Sequence, residues 1–168
     1  AEARFSMLSA NNLLKPQDGK PVTVPTQDMI LGSYYLTLEK PGEPGEGHVF
    51  GSFDEAILAY DSGAVGLHAP IKVRVSREVD GKTVSKIIDA TVGRIIFNDN
   101  IPQDLGFVDR NDPEKMFDLE ISFLAGKKEL GKIVDRCIKT HGTADTAGIL
   151  DKIKETGYKY STRGAITI

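Results

Sequence analysis

Apolar residues recur at two periods along this chain, and the switch between them separates helical ends from a β-structured middle. The opening stretch carries Phe5, Met7 and Leu8 toward Leu13 and Leu14 at spacings near 3.6, which predicts a helix ending near Leu14. No capping residue precedes it, so the chain reads as one cut from a longer polypeptide. Lys15 to Pro21 is turn-rich, with Asp18-Gly19 suited to a tight turn. Val22 and Val24 then form a short extended piece. Thr26 is placed as an N-cap and Asp28 lies in the first turn of a second helix running to about Leu38. Met29, Ile30, Tyr34 and Leu36 make no narrow stripe, which predicts a helix covered on more than one side.

Three glycines and two prolines within residues 40–47 predict a loop. Ser52 and Glu55 then have the spacing of a capping box, in which hydroxyl and carboxylate satisfy each other's backbone amides, and a third helix spans about 53–61. From Ile71 the period becomes two. Ile71, Val73 and Val75 alternate with Lys72, Arg74 and Ser76, and Asp80-Gly81 turns the chain into Thr83 to Ile88 as a β-hairpin. Thr91 to Phe97 reads as a further strand, and Asn98 to Asp112 as a long irregular connection. Leu130, Ile133, Val134, Cys137 and Ile138 mark a helix that Gly142 ends, and Asp145 is placed to cap a second one bearing Ile149, Leu150 and Ile153. Two helices joined by a turn of about five residues predict a C-terminal helical hairpin. The expected class is α+β: helices, a small antiparallel β-hairpin or sheet in the middle, and that hairpin at the end.

Composition narrows this picture rather than changing it. A chain of 168 residues that is 40% hydrophobic and 27% charged is an ordinary globular sequence. No apolar run approaches the roughly 18 to 20 residues that cross a bilayer, so no membrane partner is expected. The net charge of -3 argues against autonomous binding of nucleic acid. Its distribution is uneven. Residues 39–61 hold six acidic side chains and one lysine, whereas residues 127–163 hold nine basic and five acidic ones. The basic hairpin at 127–163 is therefore an alternative partner-binding face, although a solvated surface explains it equally.

Candidate chemistry is sparse. The single cysteine, Cys137, falls on an apolar helix face, where a buried thiol is the common outcome, and a reducing cytoplasmic setting fits. The histidines His48, His68 and His141 are too dispersed for a metal-ligand spacing. Asp109, Asp112 and Glu114 lack the register of a calcium loop and read as a solvated turn. Gly42, Gly45, Gly47 and Gly19-Lys20 do not make a phosphate loop. Asp99 has no second carboxylate beside it and reads as a turn residue.

A resemblance adds what spacing does not. Residues 2–37, with Glu2-Ala-Arg-Phe-Ser-Met-Leu-Ser-Ala-Asn-Asn-Leu-Leu-Lys-Pro16, Gly19-Lys20-Pro21, Pro25-Thr26-Gln27-Asp28, Gly32 and Tyr34-Tyr35-Leu36-Thr37, closely resemble the β′ family of bacterial DNA-directed RNA polymerase subunits. The match continues through Thr91-Val92-Gly93-Arg94 to Tyr158-Lys159-Tyr160-Ser161-Thr162 and Gly164-Ala165-Ile166-Thr167-Ile168, more loosely over 39–90 and 98–126. Ser6 stands where the family pattern has an apolar side chain.

The resemblance implies a position just after the Asn-Ala-Asp-Phe-Asp-Gly-Asp loop whose aspartates hold the catalytic Mg²⁺. No cofactor is then expected in this chain, and Mg²⁺ belongs to residues outside it. The implied role is non-catalytic: residues 1–126 as the pore, or secondary-channel, domain that admits nucleotides and takes the extruded RNA 3′ end, and 127–168 as the start of the funnel. Gln27 and Asp28 match the motif that faces the channel. Arg94 faces channel or neighbour, or else forms a structural ion pair. Arg4 and Asn11 are expected to pack against the rest of the subunit. Implied partners are the remainder of β′ and the other polymerase subunits. DNA template, RNA and nucleoside triphosphates enter only in the assembled enzyme. Surfaces meant for those neighbours predict weak self-association of the isolated chain.

Overall fold

A computed structural model of the chain describes residues 14–15, 20–21 and 25–167. The predicted helix ahead of Leu14, with Arg4, Ser6 and Asn11, and the extended piece at Val22 and Val24 lie outside the described residues. Leu14 itself is in a strand. β1 (Leu14–Lys15) pairs antiparallel with β2 (Lys20–Pro21), bracketing the stretch in which a tight turn is predicted.

α1 (Gln27–Thr37) starts at Thr26, whose hydroxyl accepts from the Met29 amide at 3.4 Å. Its buried residues are Met29, Gly32, Ser33, Leu36 and Thr37. These positions follow a 3.6-residue repeat, and Ile30 and Tyr35 on either side of it are partly buried against the core, so more than one side is covered, as the apolar pattern suggested. The stripe escaped notice because three of its five members are small or polar. Those small residues let a neighbouring helix approach closely.

β3 (Val49–Phe50), unforeseen in the sequence, runs parallel to β4 (Ile71–Val79). Between them α2 (Phe53–Asp61) is capped by Ser52, whose hydroxyl accepts from the Glu55 amide at 3.1 Å. The reciprocal arm differs from the predicted box: the Glu55 carboxylate accepts from the Gly51 amide, one residue further out. β4 and β5 (Lys82–Ala90) form the predicted hairpin in register from Ile71↔Ala90 to Val79↔Lys82. Asp80 (φ 52°) and Gly81 (φ 79°) supply the two positive φ angles that a twist-matched two-residue turn requires. The sheet order is β3-β4-β5, a mixed three-stranded sheet on an antiparallel hairpin.

The predicted strand at Thr91 to Phe97 is instead a helix, α3 (Val92–Asp99). Its β-branched residues have a strand-like local preference, and tertiary packing overrides it. Thr91 leaves β5 in extended conformation and caps α3 by accepting from the Arg94 amide at 3.1 Å. Ile95, Ile96 and Phe97 are thereby buried together, where a strand would have alternated them.

The long connection after α3 is irregular, as expected, and extends to Gly126. Side chains replace secondary structure in ordering it. The Asn98 amide accepts from Ile121 N at 2.9 Å and donates to Ile121 O at 2.9 Å, as a neighbouring strand would. Gln103 accepts from the Glu120 amide at 3.0 Å. The fully buried Glu120 carboxylate accepts from Phe107 N at 2.9 Å and from Arg110 Nη2 at 2.8 Å. Asp109, exposed, and Asp112, half-buried, make local turns by accepting from the amides of Asn111 and Glu114.

α4 (Lys127–Thr167) has two limbs that meet at Gly142, the one residue with non-helical backbone angles (φ 87°, ψ 172°). The predicted turn of about five residues is therefore a one-residue break, which glycine permits because a left-handed φ costs it little. Asp145 lies inside the second limb and is not its cap. Thr146 donates to the Gly142 carbonyl at 2.7 Å. Both limbs enter the core through Leu130, Ile133 and Cys137 on the first and Leu150 and Ile153 on the second.

Candidate functional site

Gln27 and Asp28 occupy the exposed first turn of α1, and neither side chain has a hydrogen-bond partner among the described residues. Their backbone is fixed by the Thr26 cap and by the buried stripe beneath. The Asp28 carboxylate sits where the positive end of the helix dipole favours it.

Arg94 lies at the opposite end of α1, about 14 Å along the axis from Asp28 at 1.5 Å per residue. The three sequence-derived site residues thus form a pair and a separate single. Arg94 Nε donates to the carbonyl of Thr37, the last residue of α1, at 2.9 Å, and Nη1 lies 3.3 Å from the Glu39 carboxylate. Its side chain is 13% exposed. Burial lowers its pKa from the usual guanidinium value, and Glu39 opposes that effect.

The motif around Arg94 is explained residue by residue at this junction. Thr91 caps α3. The Gly93 amide donates to Leu67 O at 2.9 Å, and a Cβ at this position would collide with the Leu36 carbonyl oxygen. Thr37 completes the joint, donating to Ser33 O at 2.6 Å and accepting from Ala125 N at 2.8 Å. The joint locks the C-terminal end of α1 and so steadies the exposed pair at its N-terminal end.

Sequence reasoning missed a second polar cluster. His68 is buried, edge-on to Tyr35 with ring centroids 4.7 Å apart; its Nε2 lies 2.8 Å from Tyr35 O and its Nδ1 3.4 Å from Glu43. Glu43 also accepts from the His68 amide at 2.9 Å, which ties the glycine- and proline-rich loop to α1. Nothing in the spacing of Tyr35, Glu43 and His68 announces this, because three separate segments supply the partners.

Beside the exposed pair, α1 crosses the second limb of α4 at two glycines. A Cβ added to Gly32 would lie 2.9 Å from Gly157 Cα. Beside this close crossing lies a groove of about 540 Å³ whose edges include Asp28, Leu31, Glu155 and Tyr158. The end of the same limb is held by Arg163, which stacks over the Tyr60 and Tyr160 rings at 5.7 and 4.9 Å.

Residues 12–168 match the family described as RNA polymerase Rpb1, domain 3. The chain belongs to that family. Over all 168 residues it is 70% identical to the DNA-directed RNA polymerase subunit beta′ of Acetivibrio thermocellus. The identity is 64% to the corresponding subunit of Clostridium novyi and 66% to that of Caldicellulosiruptor saccharolyticus. In each case the chain spans about 14% of the relative's length.

Among the described residues no three His, Cys, Asp or Glu side chains converge to hold a metal ion. Cys137 is buried, and burial with a smaller contribution from Asp104 pushes its thiol up to about 11. Among the described residues no helix is long and apolar enough to cross a membrane.

Proposed function

We propose that this domain is a non-catalytic wall of the polymerase secondary channel, through which nucleoside triphosphates enter and the RNA 3′ end is extruded. Residues 1–126 form the pore portion and 127–168 the start of the funnel, with the division at Gly126/Lys127. The domain acts in the cytoplasm within the assembled enzyme, beside the rest of β′, the other subunits, template DNA and RNA. The observation that carries this reading is the pairing of Gln27 and Asp28: adjacent, exposed, unpartnered among the described residues, and mounted on a helix locked at both ends. Polar groups held this way can meet a passing nucleotide without reorganising. Gln27 offers both a donor and acceptors to a base or ribose, and Asp28 an acceptor. Arg94 serves the same wall from behind, as the tie that positions α1.

The alternative, a self-standing module that binds through its basic helical hairpin, is less well supported. Leu130, Ile133 and Cys137 of the first limb and Leu150 and Ile153 of the second are spent on the core, and the basic side chains outside them are scattered.

The test is steady-state elongation by assembled polymerase carrying Gln27→Ala or Asp28→Ala. Loss of a contact made during entry and binding, but not specific to the transition state, raises KM for nucleotide several-fold and leaves kcat unchanged. An unchanged KM in both variants would falsify the reading.

A further inference from the structure

We propose that the groove between α1 and the second limb of α4 seats a basic amphipathic helix of the same polypeptide, contributed from outside the described residues. The proposal rests on the chain being a segment of a β′ subunit.

Three observations converge on this groove. First, beside the Gly32 and Gly157 crossing, where the two backbones touch, lies a space of about 540 Å³ that opens to solvent. Second, its walls are apolar yet uncovered: Leu31 is 58% exposed and Tyr158 is 74% exposed, among the largest exposures of apolar side chains in the described residues. Solvated together on one face, they mark a surface that another element covers. Third, the rim carries Asp28, Asp151 and Glu155 against the single Lys154, and Glu155 makes no ion pair among the described residues. The rim is anionic, which favours an occupant with lysine or arginine beside its apolar face.

Helix geometry suits the seam. A third helix laid over two crossing helices can set its side chains into the groove beside their crossing. The occupant belongs to the same polypeptide because the chain spans only about 14% of the length of its relatives, leaving ample sequence to supply it.

The experiment places p-benzoylphenylalanine at position 31, in place of Leu31, in the full-length subunit and maps the photo-adduct by mass spectrometry, with and without the other subunits. The expected product is an adduct within the same polypeptide, on a helical segment bearing lysine or arginine. Glu155→Lys should lower its yield roughly threefold, the effect of losing a surface ion contact and placing a like charge in its stead. Irradiating the unsubstituted rim at about 1 M salt, where charges are screened within a few ångströms, should lower it similarly without any rim substitution. An adduct to another subunit, to nucleic acid or to a second copy overturns the proposal, as does no adduct, or a yield indifferent to both charge reversal and salt. The adduct requires no nucleotide, so its absence would leave the KM test of Gln27 and Asp28 unaffected. An unchanged KM would likewise not remove an observed adduct.

Discussion

Arg94 is the residue through which three elements meet, since its guanidinium joins α3 to the last carbonyl of α1 and to Glu39 beyond it. Replacing it by methionine keeps the aliphatic stem but leaves a part-buried carbonyl without its donor, a loss of about 1 to 3 kcal/mol. We expect Arg94→Met to lower unfolding free energy by that amount in urea titrations, with Arg94→Lys recovering little because an ammonium cannot reproduce the Nε geometry. Gln27→Ala, at an exposed position, should stay within about 0.5 kcal/mol of the parent. Cys137 makes a pH prediction. Below the ordinary thiol value of 9.0 both folded and unfolded chains hold the proton, so it contributes no slope there. As pH rises from 9.0 toward about 11 the unfolded chain releases the proton while the folded chain retains it, so stability falls over that window. Cys137→Ala should flatten this part of the stability profile, and the parent thiol should react with a disulfide reagent near neutral pH only at the rate of unfolding.

Among elements, the contact of α1 with the second limb of α4 depends most on the absence of atoms. A Cβ at Gly157 would lie 2.7 Å from Gly32 Cα, closer than real contacts allow, and backbone on both sides must then move. Gly157→Val should cost about 1 to 3 kcal/mol or more through overpacking, seen as a lower Tm, whereas Gly131→Ala, with open space around its Cβ, should not. The elements themselves were unequally legible in the sequence. The hairpin announced its strands by alternation and its turn by Asp80-Gly81, and the start of α2 was marked by Ser52 and Glu55. α3 reads as a strand because Val92, Ile95 and Ile96 favour strands locally, while the close approach of Gly93 to Leu36 and Leu67 depends on distant segments. The stripe of α1 was hidden because Gly32, Ser33 and Thr37 do not score as apolar. The candidate pair at Gln27 and Asp28 came from family resemblance, whereas the Tyr35, Glu43 and His68 cluster had no local signal at all.

At the scale of the whole molecule, the exposed apolar walls of the groove have a consequence for the isolated chain. Weak self-association should appear as a weight-average mass rising with concentration in sedimentation equilibrium, and Leu31→Ser with Tyr158→Ser should suppress it. A strictly monomeric parent at high concentration would count against that expectation. The connection from α3 to α4 has another kind of consequence. Its two ends are pinned by side chains, with Asn98 and Gln103 gripping residues 120–121 and Glu120 gripping Phe107 and Arg110, while the part from Asn111 to Lys115 lies mostly at the surface. Length variation among related sequences should therefore cluster between Asn111 and Lys115. A peptide inserted there would emerge into solvent like a graft on a trellis, whereas one inserted next to Gln103 or Glu120 would pull apart the supports that hold the connection in place.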